Sequence, residues 1–406
     1  MLKYITVIKY LAVSFIQLIV GFISIPIITH LMPPAELGKF GLMMGVSVIL
    51  IPLISLCAES YLPVAKSKSK HFPDIKKSIY VLSFVLFLFF FGVTFFFIID
   101  KSVSWLLLLL PLFCWVRAIR VAQQSELIYD EKVSVFGVSN IGLSVLTLFF
   151  SVVFLKYINN DSYSRLFAMA LAEFLVLILC MKHVQSIKSS NFDFSEMKLI
   201  FKFSFPLLLS LFPAWVINEY GKVFVSDNGS LVLVGILTVS LQISAFQLQI
   251  NAAVNNSFLK IIYSDIDKMY SIKLFGSIIL ILLFTTSIGA FFIYVLGEKL
   301  VSAEYEGFVS ITMILFIGVF FQSTASVPAL YANHIGKTSW RLYSLCLGAL
   351  VSIVLLHFFI DLSQSLKQVS YVYALSMAVY FITLLIMTFT FHVKKNNFAK
   401  PFSFKS

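Results

Sequence analysis

In WVINEYGKVF, residues 215–224, an amide, a carboxylate and an ammonium (Asn218, Glu219 and Lys222) lie close together between the apolar runs FPLLLSLFPA and LVLVGILTVS. Asn218 and Lys222, at i and i+4, share one helical face. There the ammonium can draw an anion, while Glu219 either pairs with it or carries a coupling proton or sodium ion. Lys222 can equally snorkel to a membrane interface.

Four more ionisable side chains lie in or beside apolar runs. Glu173 is the single carboxylate of LAEFLVLIL, open to a functional role or to helix packing in a protonated form. Glu59 stands close enough to the end of its run to be solvated. Arg117 and Arg120 close another run, where they either meet an anionic head or fix topology. Such groups guide function, because each costs roughly 2.5–3.5 kcal/mol at the centre of a membrane helix and normally faces a watery cavity. Cys57, Cys114, Cys180 and Cys346 stand singly, without the spacing of a zinc or redox site, and are expected to be buried free thiols.

That these runs cross a membrane follows from composition. Hydrophobic residues make up 60% of the 406, charged residues 12%, and mean hydropathy is +0.97, whereas an ordinary soluble domain has roughly 25% charged residues. A membrane helix needs about 20 mostly apolar residues and satisfies its own backbone polar groups. Twelve such spans are predicted, near 11–31, 40–61, 79–99, 103–119, 133–155, 165–181, 200–220, 230–250, 273–296, 308–331, 341–360 and 369–391. The first run exceeds a signal-peptide core and lacks a small-residue cleavage site, so it is expected to remain as a helix.

Charge then sets the orientation. With both termini in the cytoplasm, the basic residues outside are Lys39, Lys101, Lys156, Arg165, Lys222, Lys299 and Lys367. That leaves 23 of the 30 inside, the positive-inside pattern. The net charge of +11 is thereby spread one cluster per cytoplasmic loop, which argues against a nucleic-acid partner. KSKSKHFPDIKK (66–77) is most simply a topology determinant, with anionic lipid or substrate as the alternative. The loops are short, and no P-loop, nucleotide fingerprint or nucleophile elbow occurs. A transporter, or an enzyme acting within the membrane, remains.

The stretch IPIITHLMPPAELGKFGLMMGVSVILIPLISLCAESYLPVAKSKSK (25–70) resembles the opening of polysaccharide flippases of the multidrug/oligosaccharidyl-lipid/polysaccharide exporter superfamily. Thr29, His30, Leu31, Pro34, Glu36, Gly38 and Phe40 take the places of that family's turn between its first two helices. Asn218, Glu219, Gly221 and Lys222, with Gly235, are similar to its motif at helices seven and eight. PALYANHIGKTSWRLYSLCLGALVSIVLLHFFI is similar to the region after helix ten. His30 stands where the family often has arginine, and Gly221-Lys222 where it often has Asp-Arg. Neither histidine nor lysine supplies arginine's rigid bidentate fork.

The resemblance implies an all-α polytopic membrane protein, with about twelve transmembrane helices in two six-helix bundles around a central cleft. A weak internal echo agrees: a basic residue closes helices one and seven (His30, Lys222) and a glycine opens the next (Gly41, Gly235), as in parallel repeats related by an axis along the membrane normal. The bundles are expected at 1–190 and 191–406, parted within KSSNFDFSEMK. Prolines at 26, 52, 111, 206, 213 and 328 can bend their spans.

The function so implied is a flippase, not an enzyme. It would carry undecaprenyl-diphosphate-linked repeat units of O-antigen (hence lipopolysaccharide) or capsule from the cytoplasmic to the outer leaflet of a bacterial inner membrane, by alternating access. No cofactor is implied beyond proton or sodium coupling. The partners implied are that polyprenyl-linked oligosaccharide, membrane lipids, and the polymerase and chain-length proteins of the same pathway. Asn218 and Lys222 would line the outer part of the cleft, and Arg117 and Arg120 would meet the diphosphate on entry. The alternatives are a multidrug extruder of the same superfamily and a polytopic membrane enzyme of glycan assembly. Against the second, neither a polymerase's large outer loop nor an acyltransferase's paired His/Asp site is found.

Overall fold

Helices that are apolar on nearly every side need an apolar surround, and this chain builds almost nothing else. The computed structural model describes residues 2–68, 72–101, 104–184, 194–264, 272–335, 337, 339–360 and 366–398. The expected division near residue 190, and residues 69–71 of the basic run, lie outside them. The elements are α1 (Leu2–Leu31), α2 (Pro34–Ser55), α3 (Ala58–Lys68), α4 (Phe72–Lys101), a 3-10 turn (Trp105–Leu108), α5 (Leu109–Tyr129), α6 (Val133–Tyr157), α7 (Ser162–Met181), α8 (Phe194–Asn218), α9 (Tyr220–Asn228), α10 (Leu231–Ser264), α11 (Ile272–Leu300), α12 (Phe308–His334), α13 (Ser339–Phe359) and α14 (Lys367–Phe398). No strand occurs among the described residues. Among the described residues eleven helices are long and apolar enough to cross a membrane, and Phe15–Leu31 of α1 is a shorter apolar stretch beside them.

Several helices run further than hydropathy suggests, α4, α10 and α14 among them, and two of the extensions bear on the polar sites. The fourth span continues to Tyr129 instead of ending near 119, because its polar residues are covered by protein: Arg120, Gln123 and Glu126 are all buried. The seventh continues through α9 after a one-residue break at Glu219, with the Lys222 N–H bonded to the Glu219 carbonyl at 3.0 Å.

The break between α2 and α3 has a local cause. Leu56 and Cys57 both adopt left-handed backbone (φ 51° and 52°), a conformation costing on the order of 1–3 kcal/mol at a non-glycine residue. Hydrogen bonds offset this. The Cys57 N–H donates to the Pro52 carbonyl at 3.1 Å, and the Ser204 hydroxyl of α8 donates to the Leu56 carbonyl at 2.5 Å.

The chain divides into two compact units, one of Met1–Trp215, Ser230–Gly235 and Val301–Glu304, the other of Val216–Gly229, Ile236–Leu300 and Tyr305–Ser406. In the first, α5 is the hub, packed by α2, α3, α4, α6 and α7, with α1 against α6. Within this unit the starts of α2 and α10 touch backbone to backbone. A Cβ on Gly38 would lie 2.1 Å from the Leu231 carbonyl oxygen, and one on Gly235 would lie 2.0 Å from that of Pro34. Only glycine allows that approach.

In the second unit α12 packs against α11 and α14, and α13 against α14. Gly318 of α12 receives the Tyr373 ring of α14, whose Cε1 would lie 2.4 Å from an added Cβ. The outward faces are large and apolar: Phe89, Phe96, Phe284 and Phe291 are each more than 60% exposed. A soluble monomer rarely carries apolar surface on that scale, so these faces belong in lipid. Of the four thiols, Cys57, Cys114 and Cys180 are buried as expected, whereas Cys346 is exposed on α13.

Candidate functional site

Two polar sites emerge, one in each unit. Along α8, Pro206 and Pro213 of the first unit weaken the helix before the break at Glu219, which lies in the second. The break turns the side chains that follow into protein instead of lipid. Lys222 is buried, with its Nζ 2.6 Å from Glu219 Oε2. It does not reach outward to an interface. The pair sits beside a cavity of about 320 Å³, open side included, lined by Asn218, Gly221 and Lys222 together with Leu237, Leu315, Ser352 and Tyr373. Asn218 and Lys222 thus share one wall, as their spacing suggests. Tyr373 is fixed from behind, where its hydroxyl donates to Gln322 Oε1 at 3.1 Å. The enclosed part holds only about 20 Å³, room for about one water, far below the roughly 300–1,000 Å³ of small-molecule sites, so it suits a small ion or water and is too small for an oligosaccharide.

Beside it is a group that the sequence does not single out. The Tyr220 hydroxyl lies 2.8 Å from His357 Nε2, and Phe224 meets the same imidazole edge-on at 5.4 Å. Deeper in the unit, Gln247, Asn251 and Asn255 recur every fourth residue on α10. Asn251 donates to Thr286 on α11 (3.1 Å) and Ser323 on α12 (3.0 Å), and accepts from Gln247 and Thr285. That spacing was the available signal for the cluster.

In the first unit, α5 and α7 bring together three of the sequence candidates. Arg120 Nε bonds Glu173 Oε2, and its Nη2 donates to Oε1 at 3.3 Å. Arg117 Nε stands 3.8 Å from the same Oε1. Arg120 and Glu173 are buried, while the Arg117 side chain is 37% exposed and lies over the Phe113 ring. Two guanidinium groups therefore face one carboxylate, and the site carries an excess positive charge. Breaking such a buried pair costs about 3–5 kcal/mol, because the remaining charge is left alone.

Two turns further along α5 is a second buried network. Glu126 accepts from Lys76 at 2.7 Å and from Lys66 at 3.3 Å, and Lys66 also pairs with Asp130 at 2.6 Å. Burial acts to raise the Asp130 carboxyl pKa, but the Lys66 hydrogen bond and the charges of Lys66 and Lys132 outweigh it and hold the pKa below the ordinary value. The sequence reading puts Lys66 and Lys76 in a solvated basic loop and does not foresee this network. Its signal was the row Arg117, Arg120, Gln123, Glu126, Asp130 at helical spacing.

The remaining candidates stand apart from both sites. His30 is exposed, with its Nδ1 2.7 Å from the Pro26 carbonyl of its own helix. Glu59 accepts from Ser55 at 3.3 Å, just past the α2–α3 break. The turn residues also have structural roles: Glu36 accepts from the Ser162 N–H and hydroxyl, both at 3.0 Å, and Phe40 carries the Arg165 guanidinium 4.1 Å from its ring centre.

No protein-family model and no curated protein matches the chain. Solved structures do. An inward-facing multidrug resistance MATE family transporter of the MOP superfamily aligns over 97% of this chain and 99% of its own, with TM-score 0.73 and 12% identity. The lipid II flippase MurJ, in an inward closed conformation, aligns over 95% and 89%, with TM-score 0.76 and 14% identity. The MATE multidrug transporter DinF-BH, solved as a ligand complex, aligns over 94% of both chains, with TM-score 0.64 and 15% identity. The chain has the fold of these membrane transporters; at such identities the fold is what is shared.

Proposed function

We propose that this protein is a flippase for a polyprenyl-diphosphate-linked oligosaccharide, of O-antigen or capsular type, working by alternating access in a bacterial cytoplasmic membrane with both termini inside. The observation that carries the substrate's charge is the Arg117–Arg120–Glu173 cluster, where two fixed cations answer one carboxylate and Arg117 is part-exposed. A diphosphate is the anion such a guanidinium recognises best, through paired N–H donors. The fold supports transport, and one of the matched folds belongs to a lipid flippase.

The Lys222–Glu219 pair and its cavity are assigned to ion coupling and not to the sugar, since the space suits a small ion or water. This departs from the expectation that Lys222 draws the anionic head itself. Multidrug extrusion is the competing reading, supported by the MATE folds. Surface glycan and drug accumulation in cells lacking their own flippase separate the two. Restoration of surface glycan by the wild type, with loss in Arg117→Ala, supports the proposal. Drug resistance without surface glycan refutes it.

A further inference from the structure

Buried polar atoms are nearly all hydrogen-bonded in folded proteins. Yet α4 and α5 together hold four that meet no partner, Ser83 Oγ, Trp115 Nε1, Arg120 Nη1 and Gln123 Oε1, and a fifth, Tyr80 Oη, whose one polar neighbour is the Gln123 side chain. They form one neighbourhood. Tyr80 and Trp115 pack on the same Val116, Ile119 and Leu177 side chains. Ser83 is one turn from Tyr80, Gln123 lies beside the Tyr80 hydroxyl, and Arg120 is one turn before Gln123. At one end of the row Arg120 holds Glu173. At the other, Lys76, 5.7 Å from the Tyr80 ring centre, holds Glu126.

The chemistry of these atoms selects the ligand. Trp115 and Arg120 only donate, the Gln123 oxygen only accepts, and the two hydroxyls do both. An anion would satisfy the N–H groups and leave the Gln123 oxygen bare, and a metal cation would do the reverse. Water satisfies both kinds, and a polar site offering several partners is where buried water is held.

We infer that α4 and α5 hold a string of ordered water molecules joining the buried carboxylates of Glu126 and Glu173. Along it a proton passes by one O–H bond breaking as the next forms, so that only the proton moves. The charged groups facing its ends are Lys66 from α3, Lys76 from α4, and Arg117, Arg120 and Asp130 on or just after α5. The thiols of Cys114 and Cys180 lie near the two arginines. The inference does not depend on which substrate is carried.

X-ray radiolytic labelling of the full chain in nanodiscs, in oxygen-18 water, tests it, since bound waters oxidise the side chains they touch. Tyr80 and Trp115 should label several-fold faster than the fully buried Tyr331 and Tyr305. Gln123→Leu should slow the labelling of Tyr80 several-fold with the melting temperature unchanged within a few degrees; if that variant fails to fold, Ser83→Ala serves the same comparison. Labelling of Tyr80 and Trp115 no faster than that of Tyr331 and Tyr305 overturns the inference, as does a folded variant that labels like the wild type.

Discussion

Lys222 and Glu219 face each other at 2.6 Å across the break between α8 and α9, both mostly withdrawn from solvent. Removing either charge strands the other. Lys222→Met or Glu219→Gln alone should therefore destabilise the protein by about 3–5 kcal/mol, and the double variant should recover much of that loss. Thermal unfolding in detergent reads the cycle. Transport should stay low in all three variants, because the coupling group is gone; a double variant that restores transport along with stability would make the pair purely structural.

Arg117 and Arg120 share Glu173 but should behave differently. Arg120→Ala leaves a buried carboxylate without its main partner, and should cost about 3–5 kcal/mol of stability. Arg117 is part-exposed and more distant, so Arg117→Ala should fold normally and lose substrate recognition instead. The check is melting temperature beside initial transport rate, both in purified protein. Equal melting losses in the two variants would remove the distinction.

Gly38 and Gly235 mark a close crossing in which an added methyl would meet opposing backbone at about 2 Å. Overpacking of this kind costs about 1–3 kcal/mol. Gly38→Ala should force α2 and α10 apart, and a disulfide engineered across the crossing should form more slowly in it than in the wild-type background.

Asp130 gives a pH test with a definite sign. Its pKa is lowered in the folded protein despite burial, through Lys66 and then Lys132. The stabilisation is complete above the unfolded carboxylate value, roughly pH 4, and fades as pH falls through the lower folded value. Asp130→Asn should accordingly lower the melting temperature at neutral pH and flatten its fall in acid. A variant as acid-sensitive as the wild type would place that sensitivity elsewhere.

The fold was legible in the sequence because bilayer spans announce themselves by length and hydropathy alone. The helix count and the clustering of Asn218 with Lys222 came from that and from the 3.6-residue period. What stayed hidden were the places where a helix is covered by protein. Around Gln123 and Glu126 the hydropathy drops, so the span looks finished, although the neighbours on α3 and α4 supply the burial that lipid does not. The partners of Glu173 were hidden for the same reason, because Arg117 and Arg120 are more than fifty positions away in the chain and meet it only through α5–α7 packing. The sharp turns at Leu56 and Glu219 depend on hydrogen bonds from distant or local polar groups that periodicity does not report.

The most direct measurement is translocation in proteoliposomes containing only this protein and a labelled polyprenyl-diphosphate oligosaccharide, scored by exposure of the glycan to an impermeant oxidant. The predicted result is exposure well above protein-free vesicles, with Arg117→Ala slower by about tenfold, equivalent to about 1.4 kcal/mol. Exposure no faster than in empty vesicles, from protein that still moves cationic drugs, would contradict it.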